Sequence, residues 1–304
     1  AGVLDDTASR PADGGAVAHW KNSHGGEVHV LQENAAQRPR LIKNAMYGLP
    51  AVRFDGKDDL LHNPHDDLLA AGAPRTVVVV ARSADETGGA LLTFGREHNG
   101  GASVFTAQHA VVGGRHYVYS DGVNGAGNTT VPAASFATLR DPFITEFISP
   151  GAGEKLQVRV NGSDLPATQP GTIGPDTGSS GFTIGSREDL PLGDQIWNGD
   201  IAEVLVYDRV LAAAERREVG SYLATKYNLD TEYPQAEMPP PELPDRAATR
   251  EVIVDLYYAA SCRPPTSMEL ETALQHITAA EDNRQPLEDL LWALLNSKEF
   301  LFQH

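Results

Sequence analysis

Between Asn198 and Leu229 the sequence changes its period once, and that change restricts the fold more than any other feature. Residues 201–207, IAEVLVY, form an apolar, β-branched run entered through Asn198-Gly199-Asp200 and left through Asp208-Arg209, which predicts a buried strand. From Leu211 onward the spacing is helical. Leu211, Val219, Tyr222, Leu223 and Tyr227 fall on one side, with Glu215, Arg216, Arg217 and Glu218 on the other. A single short amphipathic helix after a last core strand, preceded by many strand-like runs, predicts a β-sandwich rather than alternating βα units.

The earlier runs fit that expectation. Val52 and Phe54 alternate with Arg53 ahead of an Asp55-Gly56 turn, and residues 76–82, TVVVVAR, are the clearest buried strand in the chain. Residues 90–95 and 102–108 read as a strand pair around Arg96-Glu97-His98-Asn99-Gly100-Gly101. In residues 115–120 period-2 geometry puts Tyr117 and Tyr119 on one face and His116, Val118 and Ser120 on the other. Residues 122–130, GVNGAGNTT, are a loop rich in residues that tolerate positive φ. A hairpin runs from 142–149 to 155–160, and 182–186 are a further strand.

After Leu229 the character changes. Residues 233–244, YPQAEMPPPELP, predict an extended polyproline connector. Beyond it a helix is expected over about 246–260 with Asp245 as N-cap, a second opening at Thr266 with Glu269 completing a capping box, and a third from Pro286 with a stripe of Leu287, Leu290, Leu291, Leu294 and Leu295. The expected domains are therefore 1–229, a linker at 230–245 and a helical extension at 246–304. From Asp230 onward 14 acidic residues stand against 5 basic ones, a much denser negative charge than in the rest of the chain.

Composition excludes several functions. A net charge of −17 leaves no basic surplus for nucleic acid or for anionic lipid. No run approaches the roughly 18 apolar residues needed to cross a bilayer, so membrane insertion is not expected. The start, AGVLDDTASR, has neither the basic nor the apolar region of a signal peptide. Cys262 is the only cysteine, which leaves the redox compartment open.

The closing stretch resembles the end of the laminin-G-like jelly rolls of the concanavalin A-like superfamily, through Trp197, Gly199, Ile201, Glu203, Val204, Val206, Tyr207, Arg209, Leu211, Glu215, Arg216, Tyr222, Leu223, Lys226 and Tyr227. Trp20-Lys21-Asn22-Ser23-His24-Gly25, the Pro50-Ala51-Val52-Arg53-Phe54-Asp55-Gly56 strand and Val158-Arg159-Val160-Asn161-Gly162 resemble the same family. The resemblance implies a mainly β, concanavalin A-like sandwich with a small α-helical C-terminal extension, in a secreted or cell-envelope protein whose leader is not in this sequence. The tail resembles the terminal helical segment of a poorly characterised domain of large secreted bacterial proteins. The superfamily includes lectins, glycan-binding modules, glycosidases and adhesion modules, so fold alone does not choose a function.

The residues themselves suggest candidates. Tyr117 and Tyr119, with Arg96, His98 and Asn99 on a nearby turn, could line a shallow groove in which rings stack on a glycan and polar groups bond its hydroxyls. Such a module would bind a glycan or polysaccharide without catalysis. Jelly-roll glycosidases place two carboxylates close on one strand; no such run occurs, and Asp200 and Glu203, three apart, are expected on opposite faces. A glycoside hydrolase is the third choice. Trp197 and Glu203 are expected to be structural. Laminin-G-like domains often bind calcium, for which Asp121, Asn124 and Asn128 could supply oxygens. His62, His65, Asp66 and Asp67 could hold zinc but read more simply as a solvated turn around Pro64. The competing function is a protein-interaction module, with the leucine-striped tail docking intramolecularly or on a partner.

Overall fold

A computed structural model describes residues 3–22, 29–63, 69–70, 72–85, 87–95, 105–120, 128–132, 134, 139–173, 181–187, 196–234, 246–261, 263–278, 287, 289–291 and 294. The chain divides into two compact units, Ala1–Ala236 and Glu237–His304. The first is a sandwich of two antiparallel sheets. Its strands are β1 (Val3–Leu4), β2 (His19–Lys21), β3 (His29–Leu31), β4 (Arg40–Met46), β5 (Leu49–Asp55), β6 (Leu61–Asn63), β7 (Arg75–Ser83) and β8 (Gly88–Phe94). They continue with β9 (Phe105–Val112), β10 (Arg115–Ser120), β11 (Thr129–Val131), β12 (Phe143–Ser149), β13 (Gln157–Val160), β14 (Ser163–Asp164), β15 (Phe182–Ile184) and β16 (Asn198–Tyr207). One sheet has the order β1-β2-β3-β6-β15-β8-β9-β10-β11, the other β14-β13-β12-β7-β16-β5-β4.

Strand β7 is apolar at nearly every position because both of its faces are covered. Val77, Val79 and Ala81 join the core between the sheets, whereas Val78 and Val80 join a second core on the outer face. Burial on both sides removes the alternation that a half-solvated strand would show. The outer core is made by helix α1 (Ala213–Lys226), whose Leu223 and Ala224, with Tyr227 beyond its end, pack on Met46, Ala51, Val80 and Ile144. Trp197 is fully buried in the inner core, as expected of a packing residue. Asn161 and Gly162, both at positive φ, turn β13 into β14 as an Asn-Gly pair does in a hairpin.

Helix α1 corrects the expected division of its faces. Tyr222 is 53% exposed, while the Arg216 side chain is only 14% exposed and pairs with Glu146 at 3.3 Å. At about 100° per residue, Arg216, Gly220, Leu223 and Tyr227 share one arc and Tyr222 lies outside it. Glu146 on β12 also meets Arg159 at 3.3 Å and accepts a hydrogen bond from the Tyr233 hydroxyl. The chain therefore stays with the sandwich beyond Leu229, through a buried tyrosine.

Gly220 makes room for that tyrosine. A Cβ at this position would lie 2.2 Å from Tyr233 Cε1 and 2.4 Å from Cδ1. Gly220→Ala should recover about 1 kcal/mol of helix propensity yet lose about 1–3 kcal/mol to overpacking. A lowered Tm is the expected result, and a raised one would show that Tyr233 is not held there.

In the second unit, α2 (Arg246–Ser261) and α3 (Ser267–Thr278) enclose a core of Ile253, Tyr257, Leu270, Ala273, Leu274, Ile277 and Leu294. The expected capping box is formed. Glu269 accepts from Thr266 N at 2.7 Å and its own N–H reaches Thr266 Oγ1 at 3.3 Å, while Arg263 grips the same carboxylate at 2.8 and 2.9 Å. Residues 287, 289–291 and 294 of the third predicted helix are helical.

Candidate functional site

The second sheet is split. Strand β16 pairs with β5 only from Asn198 opposite Asp55 to Ile201 opposite Val52, whereas its ladder with β7 runs on to Tyr207 opposite Thr76. Two local causes lie at the fork. A bulge between Ile201 and Glu203 twists β16, and Pro50 in β5 has no N–H to donate. Among the described residues the β5-facing edge of β16 from Ala202 to Tyr207 has no strand partner.

Beneath this fork lies a cleft of about 520 Å³. Its walls are residues 49–52 of β5 and 202–205 of β16, with Tyr222, Lys226 and Tyr227 of the α1 segment on one rim and Arg10 on another. Its floor comes from the opposite sheet. Trp20, paired with Val3 on one side and Val30 on the other, is half-buried against the inner core and faces the opening. Lys21 and Asn22 come directly after it and are exposed. Trp20, Lys21, Asn22 and Val204 also border a smaller space of about 150 Å³ reaching His29 and Phe182.

The polar groups of the rim are partly fixed. Glu203 Oε2 accepts from Lys226 Nζ at 2.7 Å and from the Tyr227 hydroxyl at 3.0 Å. Burial works against the Lys226 charge, but the Glu203 carboxylate outweighs it and holds its pKa above the ordinary lysine value. Burial and the same carboxylate push the Tyr227 hydroxyl up, so it remains a donor. Lys226 Nζ also sits 5.4 Å from the Tyr222 ring centroid. Arg10 and Lys21 are exposed and form no ion pair among the described residues. The cleft thus offers an indole ring, a phenol ring and several directed donors, with Glu203 the only acid among the described lining residues.

Asp200 and Glu203 do not lie on opposite faces. The bulge sets Asp200 opposite Arg82 and Glu203 opposite Val80, residues two apart on β7, so both face outward. Asp200 is 1% exposed and is gripped by Arg53 at 2.7 and 3.0 Å and by Arg82. Each carboxylate is tied to its own cations.

The tyrosine pair is also corrected. Both ladders of β10 shift register between Tyr117 and Tyr119, and Tyr119 turns into the core with its ring 5.2 Å from Phe105. It is fully buried and cannot stack on a ligand, while Tyr117 remains half-buried. Arg96, His98, Asn99, Asp121 and Asn124 lie outside the described residues, as do His65, Asp66 and Asp67. Asn128 is half-buried before β11, and its Oδ1 is enclosed without a hydrogen-bond partner among the described residues. His62 shares a hydrogen bond of 2.8 Å with Thr183 Oγ1 across neighbouring strands. Asp55, Asp58 and Asp59 bring carboxylate oxygens within 4.8 Å, and burial beside Asp55 and Asp58 pushes Asp59 up to about 7. The Asp55 carboxylate is occupied by the N–H groups of Lys57 and Asp58, which is ordinary turn chemistry.

Trp20, Tyr222, Lys226, Arg10 and Lys21 are not marked as a site by the sequence. Trp20 and Lys21 fall in the early tryptophan element and Tyr222 and Lys226 in the closing motif, but neither motif marks them as ligand contacts, and Arg10 carries no signal.

No family model matches the sequence, and no curated protein matches it. Solved structures do resemble the fold. Domain 4 of AbnA, a GH43 extracellular arabinanase from Geobacillus stearothermophilus, solved with arabinotriose, is 13% identical, with a TM-score of 0.47 over 69% of this chain and 100% of that one. The CBM40 of Ruminococcus gnavus IT-sialidase, bound to α2,3-sialyllactose, is 20% identical, with a TM-score of 0.35 over 48% of this chain and 80% of that one. A SAP-like pentraxin from Limulus polyphemus is 15% identical, with a TM-score of 0.37 over 58% and 78% of the two chains.

Proposed function

We propose that the chain is a non-catalytic carbohydrate-binding module of a secreted or cell-envelope protein, with its ligand in the cleft floored by Trp20. The observation that carries this is the pairing of a half-buried indole with exposed polar groups in a concavity of about 520 Å³. A sugar ring has one apolar face and a rim of hydroxyls, and such a cleft meets both. The unpaired edge of β16 adds backbone donors and acceptors. Binding rather than hydrolysis is supported by the engagement of Asp200 and Glu203 in ion pairs, which leaves neither as an uncommitted acid or base.

Titration calorimetry against an oligosaccharide panel tests the proposal. Trp20→Ala should weaken a bound saccharide by about 30-fold, equivalent to about 2 kcal/mol, and Tyr117→Ala should not. Loss of binding in the Tyr117 variant alone would move the site to the outer face of the other sheet. A second reading, a protein-interaction module, is favoured by the open β16 edge, onto which an extended peptide could add as a strand; it gains if no saccharide binds in a Trp20-dependent way.

Calcium at Asp121, Asn124 and Asn128 belongs to the same proposal, supported by the enclosed Asn128 Oδ1, unpartnered among the described residues. Excess calcium at about 100 times its Kd should add about 2.7 kcal/mol over chelator, read as a rise in Tm. Equal Tm values in the two buffers count against it.

A further inference from the structure

We infer that the cleft prefers an anionic saccharide, one carrying carboxylate or sulfate groups, over its neutral counterpart. This rests on the carbohydrate-binding proposal above and adds the ligand class. Across the whole chain acids exceed bases, giving −17. The cleft inverts that balance. Its described lining holds Arg10, Lys21 and Lys226 against one acid, Glu203.

Within the cleft the cations differ in their partners. Glu203 is neutralised by Lys226 at 2.7 Å. Arg10 and Lys21 have no ion partner among the described residues; exposed cations elsewhere on the sandwich, Lys43, Lys57 and Arg217 among them, form none either, but Arg10 and Lys21 line one cleft. In a chain with so many acids, two uncommitted cations on one cleft form a local positive island. Arg10 can grip a carboxylate or sulfate through two N–H groups, and Lys21 supplies a point charge one residue beyond the stacking ring. Low-dielectric walls focus that field toward the opening. A ligand that stacks on Trp20 and carries an acidic group at its edge satisfies both features.

The test pairs neutral polysaccharides with the same backbones carrying a carboxylate at C6, titrated at low and high ionic strength. The carboxylated form should bind about tenfold tighter at low salt, as two exposed ion pairs would provide, with the gap closing at high salt. The double variant R10A/K21A should bring the ratio of the two affinities close to one. Both side chains are exposed, so the substitution tests charge rather than folding. Equal affinity of both forms for the wild type overturns the preference and leaves the carbohydrate-binding proposal standing. Binding of neither form overturns both. A salt-sensitive preference that persists in R10A/K21A overturns the assignment to these two residues.

Discussion

Replacing Glu146 by alanine is expected to cost about 3 kcal/mol of stability, whereas glutamine costs much less. The side chain is 2% exposed and gathers Arg159, Arg216 and the Tyr233 hydroxyl. Burial pushes its carboxyl above the usual range even though Tyr233, Arg159 and Arg216 all favour the charged form. The charge itself is therefore only partly offset. Glutamine keeps an acceptor for Tyr233 and removes the burden of a buried anion. Alanine leaves a phenol 5% exposed without its acceptor and a largely buried guanidinium without its counter-charge. Urea denaturation of the two variants measures the difference, and equal losses would remove Glu146 from its role as a hub. The same network holds α1 and the segment ending at Tyr233 on the outer face. Since α1 and Tyr227 supply one rim of the cleft, the alanine variant should also weaken any ligand that Trp20 stacks on.

Much of the sandwich is legible in local pattern. The TVVVV run, the alternation at Val52 and Phe54 and the strand at 201–207 are all one-segment signals, and each matches an observed strand. The features that escape depend on pairing between distant segments. The fork between β5 and β16 joins residues about 150 apart, so no window of sequence contains it. Trp20 sits on a strand of three residues, too short to show a period. The bulges at Tyr117/Tyr119 and Ile201/Glu203 each insert one residue and reverse the faces of the residues after them, and that is why strict alternation misplaces Tyr119 and Glu203. The faces of α1 are a different case: the 3.6-residue period by itself places Arg216 with Leu223 and sets Tyr222 apart from them.

Acidification should reveal a second buried network, between the sheets. His109 on β9 shares a hydrogen bond of 2.9 Å with His116 on β10, and its other ring nitrogen lies 2.9 Å from Thr145 Oγ1 on β12 of the opposite sheet. Phe143 and Phe147 enclose the His109 ring. Burial holds His109 well below the ordinary histidine value, with the His116 neighbour adding to it, and burial lowers His116 to about 4 against a weaker pull upward from the Pro132 backbone. At pH 5 His116 is neutral in the folded state and burial disfavours the charged form of His109 as well, while both are protonated in the unfolded chain. Because the unfolded state binds more protons there, stability falls as pH drops below about 6.5. His116 alone, over the 1.5 pH units from its unfolded value to pH 5, amounts to roughly 2 kcal/mol, and His109 adds to it in the same direction. Asp59 acts in the opposite direction. Its folded value of about 7 means that the native state takes up a proton first, which stabilises it as pH falls through the same window. Glu146, also raised, has the same sign. Wild-type protein should therefore show a muted loss, and Asp59→Asn, which removes one of the two opposing carboxyls, should show a larger one. Denaturation of both proteins at pH 7 and pH 5 measures it. An Asp59→Asn protein as stable at pH 5 as at pH 7 would show that the histidine pair is already solvated or charged, and that the two sheets are not joined there by a neutral hydrogen-bonded pair.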